Sequence, residues 1–261
     1  DSARSRRRRR RGDQRDVVRG LEATVRNAGS DKTLYIAATD GVWMFPYVAG
    51  SKPKSNDGKK IMDLPSGGYN NHWTRNIVSD GKKLYISVGS ASNVAEHGMD
   101  EEKHRANILV ANLDGSGLKV FADGLRNPVG MAWQPSSKEL WTVVNERDEL
   151  GDDLVPDYLT SVGEGKFYGW PYSYFGQHED PRLKGKRPDL VAKAVVPDFA
   201  LDPHSASLGL TFYEGKTFPK RFGKARSSVN AGRGIARSSP VTESRSCRSP
   251  RDVRAAKPRI F

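Results

Sequence analysis

A histidine, an Arg-Asn pair and an acidic run are the residues of this sequence whose types and spacing could do chemistry. His72 stands in Asn71-His72-Trp73-Thr74-Arg75-Asn76, just ahead of an Asp-Gly turn. Imidazole ionises near neutral pH, so its free base can take a proton from a hydroxyl. The plainer alternative is a loop histidine against solvent or a carbonyl. Arg126 and Asn127 precede Pro128. A guanidinium grips carboxylates as a two-pronged fork, and an amide can reach nearby oxygens; the plainer alternative is a turn that opens a strand. Asp148, Glu149, Asp152, Asp153 and Asp157 crowd one stretch. They suit Ca2+, a hard cation that takes oxygen ligands, or they form a solvated loop, and no helix-loop-helix calcium pattern surrounds them. The single cysteine, Cys247, leaves no intrachain disulfide and no cysteine zinc site.

The elements that must position these residues read as short strands. Three runs share one pattern, a turn followed by Leu-aromatic and then β-branched or small residues. They are Asp31-Lys32-Thr33-Leu34-Tyr35-Ile36, Asp80-Gly81-Lys82-Lys83-Leu84-Tyr85-Ile86 and Ser137-Lys138-Glu139-Leu140-Trp141-Thr142. Their leucines recur at roughly fifty-residue intervals, the spacing of propeller blades. Further strands are predicted at 42–45, 107–111, 118–121, 128–133 and 208–213, with Asp114-Gly115 as a hairpin turn. No amphipathic helix of ordinary length is visible, and the stretch from Glu146 to Pro203 reads as long loops, which in compact domains are usually functional. The fold class is all-β: a β-propeller, with a sandwich as the alternative.

The net charge of +12 would suggest a nucleic-acid or anionic-surface binder. Its location argues otherwise. Residues 1–30 carry net +6 and residues 223–261 net +8, leaving 31–222 at −2. Basic residues in the tails are nearly all Arg, whereas those of the middle are mostly Lys. Both tails also lack hydrophobic periodicity. They read as out-of-frame or disordered sequence flanking one domain at 31–222, not as arms for specific nucleic-acid binding, which would fade steeply with salt. No apolar run approaches a membrane span, and no apolar segment of a signal peptide is visible.

Five ordered motifs within 31–222 carry a resemblance. They are Asn71–Asn76; Gly124-Leu125-Arg126-Asn127-Pro128-Val129-Gly130-Met131-Ala132-Trp133; Leu140–Asp153; Phe167-Tyr168-Gly169-Trp170-Pro171; and Asp202–Ala206 leading to Leu208–Tyr213. Together the middle segment resembles the glucose/sorbosone dehydrogenase family, six-bladed propellers dependent on pyrroloquinoline quinone (PQQ). That resemblance implies oxidation of an aldose or sugar aldehyde, electrons passing to an external acceptor, and a periplasmic or secreted location. It implies His72 as the general base, Arg126, Asn127 and Arg75 as quinone contacts, and Ca2+ near Asp148, Asp152 and Asp153. A Gly-Pro pair of some relatives is replaced here by Arg147-Asp148. His204 would face the substrate mouth.

The resemblance stops near Phe222, after about four blades at ~50 residues each. An open ring exposes strand edges and predicts oligomerisation through them. The competing functions are a non-catalytic or lactonase-like propeller and a nucleic-acid binder acting through the tails.

Overall fold

The computed structural model describes residues 32–48, 54–212 and 214, and the backbone of two further strands, 226–230 and 244–247. The remaining parts of the two Arg-rich tails lie outside the described residues.

Four antiparallel sheets follow one another in chain order. Sheet one holds β1 (Thr33–Ala38), β2 (Gly41–Pro46) and β3 (Lys59–Asp63). Sheet two is the meander β4 (Arg75–Ser79), β5 (Lys83–Val88), β6 (Asn107–Asn112) and β7 (Lys119–Asp123). Sheet three runs β8 (Asn127–Trp133), β9 (Leu140–Asn145), β10 (Pro156–Val162) and β13 (Phe199–Pro203). Between its last two strands it carries the small hairpin β11 (Ser173–Tyr174) and β12 (His178–Glu179) and a helical turn at Pro188–Val191. Sheet four pairs β14 (Ser207–Phe212) with β15 (Arg226–Asn230) and β16 (Ser244–Cys247). Composition predicted irregular sequence for those last two segments; in the structure β15 pairs onto the edge of β14, whose unpaired backbone groups favour an added strand, and β16 pairs onto β15.

Contacts between sheets give the radial order. β4 packs on β8 and β8 on β14, so the first strands of sheets two to four are neighbours. β1, β5 and β9 occupy equivalent places, each against the first strand of the next sheet: β4, β8 and β14 respectively. These are the strands of the three Leu-aromatic runs, so the sequence repeat is a structural repeat. The sheets stand as propeller blades, and among the described residues they form an open arc.

Period-2 alternation explains the packing. In sheet two Ile77, Leu84, Ile86 and Leu109 face sheet one. The alternate residues Val78, Tyr85, Ile108 and Val110 face Met131, Leu140 and Tyr158 of sheet three. Trp141, Val143 and Leu159 then meet Leu210 of sheet four. Both faces of a middle blade are thus dry, which is why its strands read as near-continuous apolar runs. At the centre the backbones approach closely. A Cβ on Gly130 of β8 would sit 2.6 Å from Leu210 N and from the Gly209 carbonyl carbon in β14.

Sequence reasoning missed β3, β4, β10 and β13, and the two-residue strands β11 and β12. All but β3 and β4 lie inside the stretch read as long loops, and acidic and proline residues at the ends of β10 and β13 (Pro156, Asp157, Asp202, Pro203) disguise those two.

Candidate active site

Antiparallel pairing brings the entry of each first strand, the exit of the second and the entry of the third to one rim. His72 precedes β4 and Gly89–Ser90 follow β5. Asn127 opens β8, while Asn145 and Glu146 close β9. Asp157 starts β10, His204 follows β13 and Ala206 precedes β14. His72, Arg126, Asn127, Asn145, Glu146, Asp148, Asp157, His204 and Ala206 converge on a cavity of about 250 Å³. A larger cavity, about 360 Å³, lies between the 99–107 segment and residues 167–190 and is lined by His104, Arg105 and Arg187 but by neither His72 nor Arg126.

His72 is partly buried, and its Nδ1 lies 3.0 Å from both the carbonyl oxygen and the hydroxyl of Ser90. A carbonyl can only accept. The Ser90 hydroxyl already donates to Ser92 O at 2.6 Å. Nδ1 must therefore carry the proton, and Nε2 keeps its lone pair. Burial, with the Arg126 charge nearby, holds the imidazole down at about 3, so it is neutral around pH 7. Gly89 makes the arrangement feasible, because a Cβ there would overlap both Asn127 Oδ1 and His72 Cβ.

Arg126 is buried, and its donors are largely committed. Nε donates to Asn93 O, Nη1 to the carbonyls of Asn145 and Glu146, and Nη2 to Asn93 Oδ1. One Nη2 hydrogen is left, with Asp148 at 3.8 Å. A two-pronged grip on a carboxylate is thus not open to it: the fork expected from residue type is spent on the protein's own carbonyls. Arg75 departs from its expected place on the pocket wall. Wholly buried, it donates to the carbonyls of His72, Thr74 and Pro65 at 2.6–3.1 Å and fastens the backbone that carries His72.

The opposite wall is acidic. Burial pushes Glu146 up to about 7 and raises Asp157 as well, with Arg126 opposing both shifts. Asp157 accepts from Glu146 N, Ala206 N and the Ser205 hydroxyl, tying β10 to the entry of β14. Asn145 Oδ1 and Glu146 Oε1 are buried without a hydrogen-bond partner. Asp148 meets His204 Nδ1 at 3.0 Å, and His204 Nε2 meets Gly151 O at 3.0 Å. Arg147, which stands in the Gly-Pro place, forms a buried 2.8 Å ion pair with Asp180 beside β12.

Of the acidic stretch, Asp148 and Asp157 reach the cavity, whereas Asp152 and Asp153 are exposed outside it. No cluster of three or more His, Cys, Asp or Glu side chains arranged for a metal occurs among the described residues. The orphaned oxygens of Asn145 and Glu146, with Asp148 close by, nonetheless fit a hard cation that accepts mixed oxygen ligands. The amide of Asn127 and the free Arg126 hydrogen fit the oxygens of a planar polar cofactor. Asn145, Glu146 and Ser90 had no signal in the sequence beyond standing at or next to strand ends, and Asn93 stands in the connection between β5 and β6.

Comparison with known proteins points the same way. An uncharacterized protein of Borreliella burgdorferi is 31% identical over 203 residues, covering 74% of this chain and 52% of that protein. The aldose sugar dehydrogenase YliI of Escherichia coli is 28% identical over 191 residues, covering 64% and 49%. The chain thus spans about half the length of the curated relatives it matches. Among solved structures, the holo PQQ domain of pyranose dehydrogenase from Coprinopsis cinerea superposes with a TM-score of 0.64 at 18% identity, over 79% of this chain and 59% of that one. That likeness supports the propeller fold. The TrAA12-like family model matches residues 3–172, so its match also takes in the Arg-rich segment that composition set apart. With blades and rim in the order described, and most of the chain matched, this protein belongs to the TrAA12-like family.

Proposed function

We propose that the chain supplies one side of the active site of a PQQ-dependent dehydrogenase that oxidises an aldose or sugar aldehyde. The observation that carries this reading is His72, neutral and held as the Nδ1–H tautomer at the edge of a cavity whose far wall is acidic. In this reading Nε2 takes the hydroxyl proton of the sugar. Asn127 and the remaining Nη2 hydrogen of Arg126 would hold quinone oxygens. Asp148, with the side-chain oxygens of Asn145 and Glu146, would hold a calcium ion; Asp152 and Asp153 would reach it only by rearrangement of their loop. Arg75 acts by positioning His72 through its carbonyl. When bound, the quinone supplies a two-electron acceptor for hydride, and an external acceptor then takes the electrons. The name of the Escherichia coli relative supports an aldose as substrate, and the resemblance supports a periplasmic or secreted site of action. Among the described residues no helix is long and apolar enough to cross a membrane.

The test is reconstitution of the full chain with PQQ and Ca2+, then dye-linked oxidation of a panel of aldoses and sorbosone. Activity should fall roughly 100- to 10,000-fold in His72→Ala, the usual contribution of a positioned base. Activity that survives the substitution, or failure to bind the quinone, overturns the proposal.

A further inference from the structure

Behind His72 lies a carboxylate that the proposed chemistry does not use. Glu102 is buried, in the segment between β5 and β6. Its Oε2 accepts from Ala91 N at 2.7 Å and its Oε1 from the Ser92 hydroxyl at 2.6 Å. The turn it grips is the one that orients the imidazole: Ser92 O takes the Ser90 hydroxyl proton, and Ser90 then offers Nδ1 two acceptors and no donor. The same turn is fastened from two other sides, by Ser90 N donating to Arg126 O at 2.7 Å and Asn71 N donating to Ala91 O at 2.9 Å. Glu102 is thus the carboxylate end of a series of contacts that runs through the Ser92 hydroxyl and backbone and the Ser90 hydroxyl and ends on the ring.

We propose that Glu102 is a positioning residue that fixes the tautomer of His72, keeping the lone pair on Nε2 at the cavity. As a carboxylate it accepts from both Ala91 N–H and Ser92 O–H. Glutamine keeps the Ala91 amide bonded through Oε1 and donates to the Ser92 hydroxyl oxygen, so it only reverses one bond. Alanine leaves both groups without a partner; the turn then shifts, and the two-acceptor seat for Nδ1 is lost.

The inference rests on His72 being the base, but its first test does not need the loaded enzyme. Proton–nitrogen correlation spectra of the full chain report which ring nitrogen of His72 carries the proton. The native chain should show Nδ1–H alone, and Glu102→Ala should give a mixture of tautomers. After reconstitution the same variant should lose roughly 10- to 100-fold in kcat with KM held within about twofold, the scale of lost outer-layer partners. Ser92→Ala, which removes one hydroxyl and little volume, should move both readouts the same way and less. A single unchanged tautomer in both variants overturns the inference. It would do so even while His72→Ala abolishes activity, whereas activity that survives His72→Ala would strike the base assignment instead.

Discussion

On one side of the cavity His72 is seated by a carbonyl and a hydroxyl, while on the other Asp148 bonds to His204 and, off the cavity lining, Arg147 pairs with Asp180. The first wall uses dipoles, which orient the ring without adding charge and leave burial free to keep it neutral. The second keeps several ionisable groups at low exposure, and Arg126 stands between the walls with its donors divided among three residues. A proton acceptor and a cation-binding oxygen set, as the proposed function assigns them, need opposite surroundings, and this rim separates His72 from the acidic side chains by a few residues.

The comparison can be broken most forcefully at the Arg147–Asp180 pair. Arg147→Met leaves a buried carboxylate without its partner and should cost about 3–5 kcal/mol, whereas Ser90→Ala on the dipolar wall should cost about 1 kcal/mol. Urea melts of the two variants decide it, and equal losses would erase the distinction between the walls.

Next in size is a difference in sign with pH. His72 falls from 6.5 to about 3 in the fold, so its share of stability is complete above pH 6.5 and lost on acidification toward pH 3. Glu146 rises from 4.5 to about 7, so its share is complete below pH 4.5 and lost as pH climbs toward 7. Between pH 4.5 and 6.5 the two slopes oppose each other, and from these two groups a plateau is expected there. Glu146→Gln should remove the alkaline loss, worth at most roughly 3 kcal/mol, and His72→Ala the acid one. Melting temperatures at pH 4, 5.5 and 8 for both variants would show the slopes separating; parallel curves would contradict the assignment.

Gly89→Ala sharpens the comparison at the point where the dipolar wall is tightest. The new methyl must displace His72 or Asn127, so about 1–3 kcal/mol of stability should go, together with quinone-dependent turnover. A variant with native melting and native activity would mean that the seat is looser than described. The smallest effects belong to Asp152→Asn and Asp153→Asn, exposed beyond the rim, at about 0.5 kcal/mol or less. Calcium titration of these variants beside Asp148→Asn reads which carboxylates hold the ion.

Much of the fold was legible before any coordinates. The Leu34, Leu84 and Leu140 runs fell on β1, β5 and β9, three strands in equivalent positions, because burial against two neighbouring blades demands the same alternation each time. The strands β10 and β13 were not legible, since their apolar content is short and their ends carry acids and prolines that serve the rim. The family resemblance named His72, Arg126, Asn127 and Asp148, all of which line one cavity. It did not foresee that Arg75 lies off that cavity or that most donors of Arg126 are taken, because a guanidinium buried among strand ends is first claimed by carbonyls that would otherwise lack partners.

The sequence by itself determined the kind of molecule: short strands in a fifty-residue repeat, a neutral middle between basic tails, and a base, an amide and acids spaced along it. Those properties are local, written in period and residue type. Only the tertiary structure decided which nitrogen of His72 bears the proton, that Glu146 and Asp157 lie buried across the cavity near Arg126, and that Glu102 grips the turn behind the ring. These depend on hydrogen-bond partners as far apart in the chain as residues 72 and 90 or 93 and 126, and on desolvation that exists only once blades pack together.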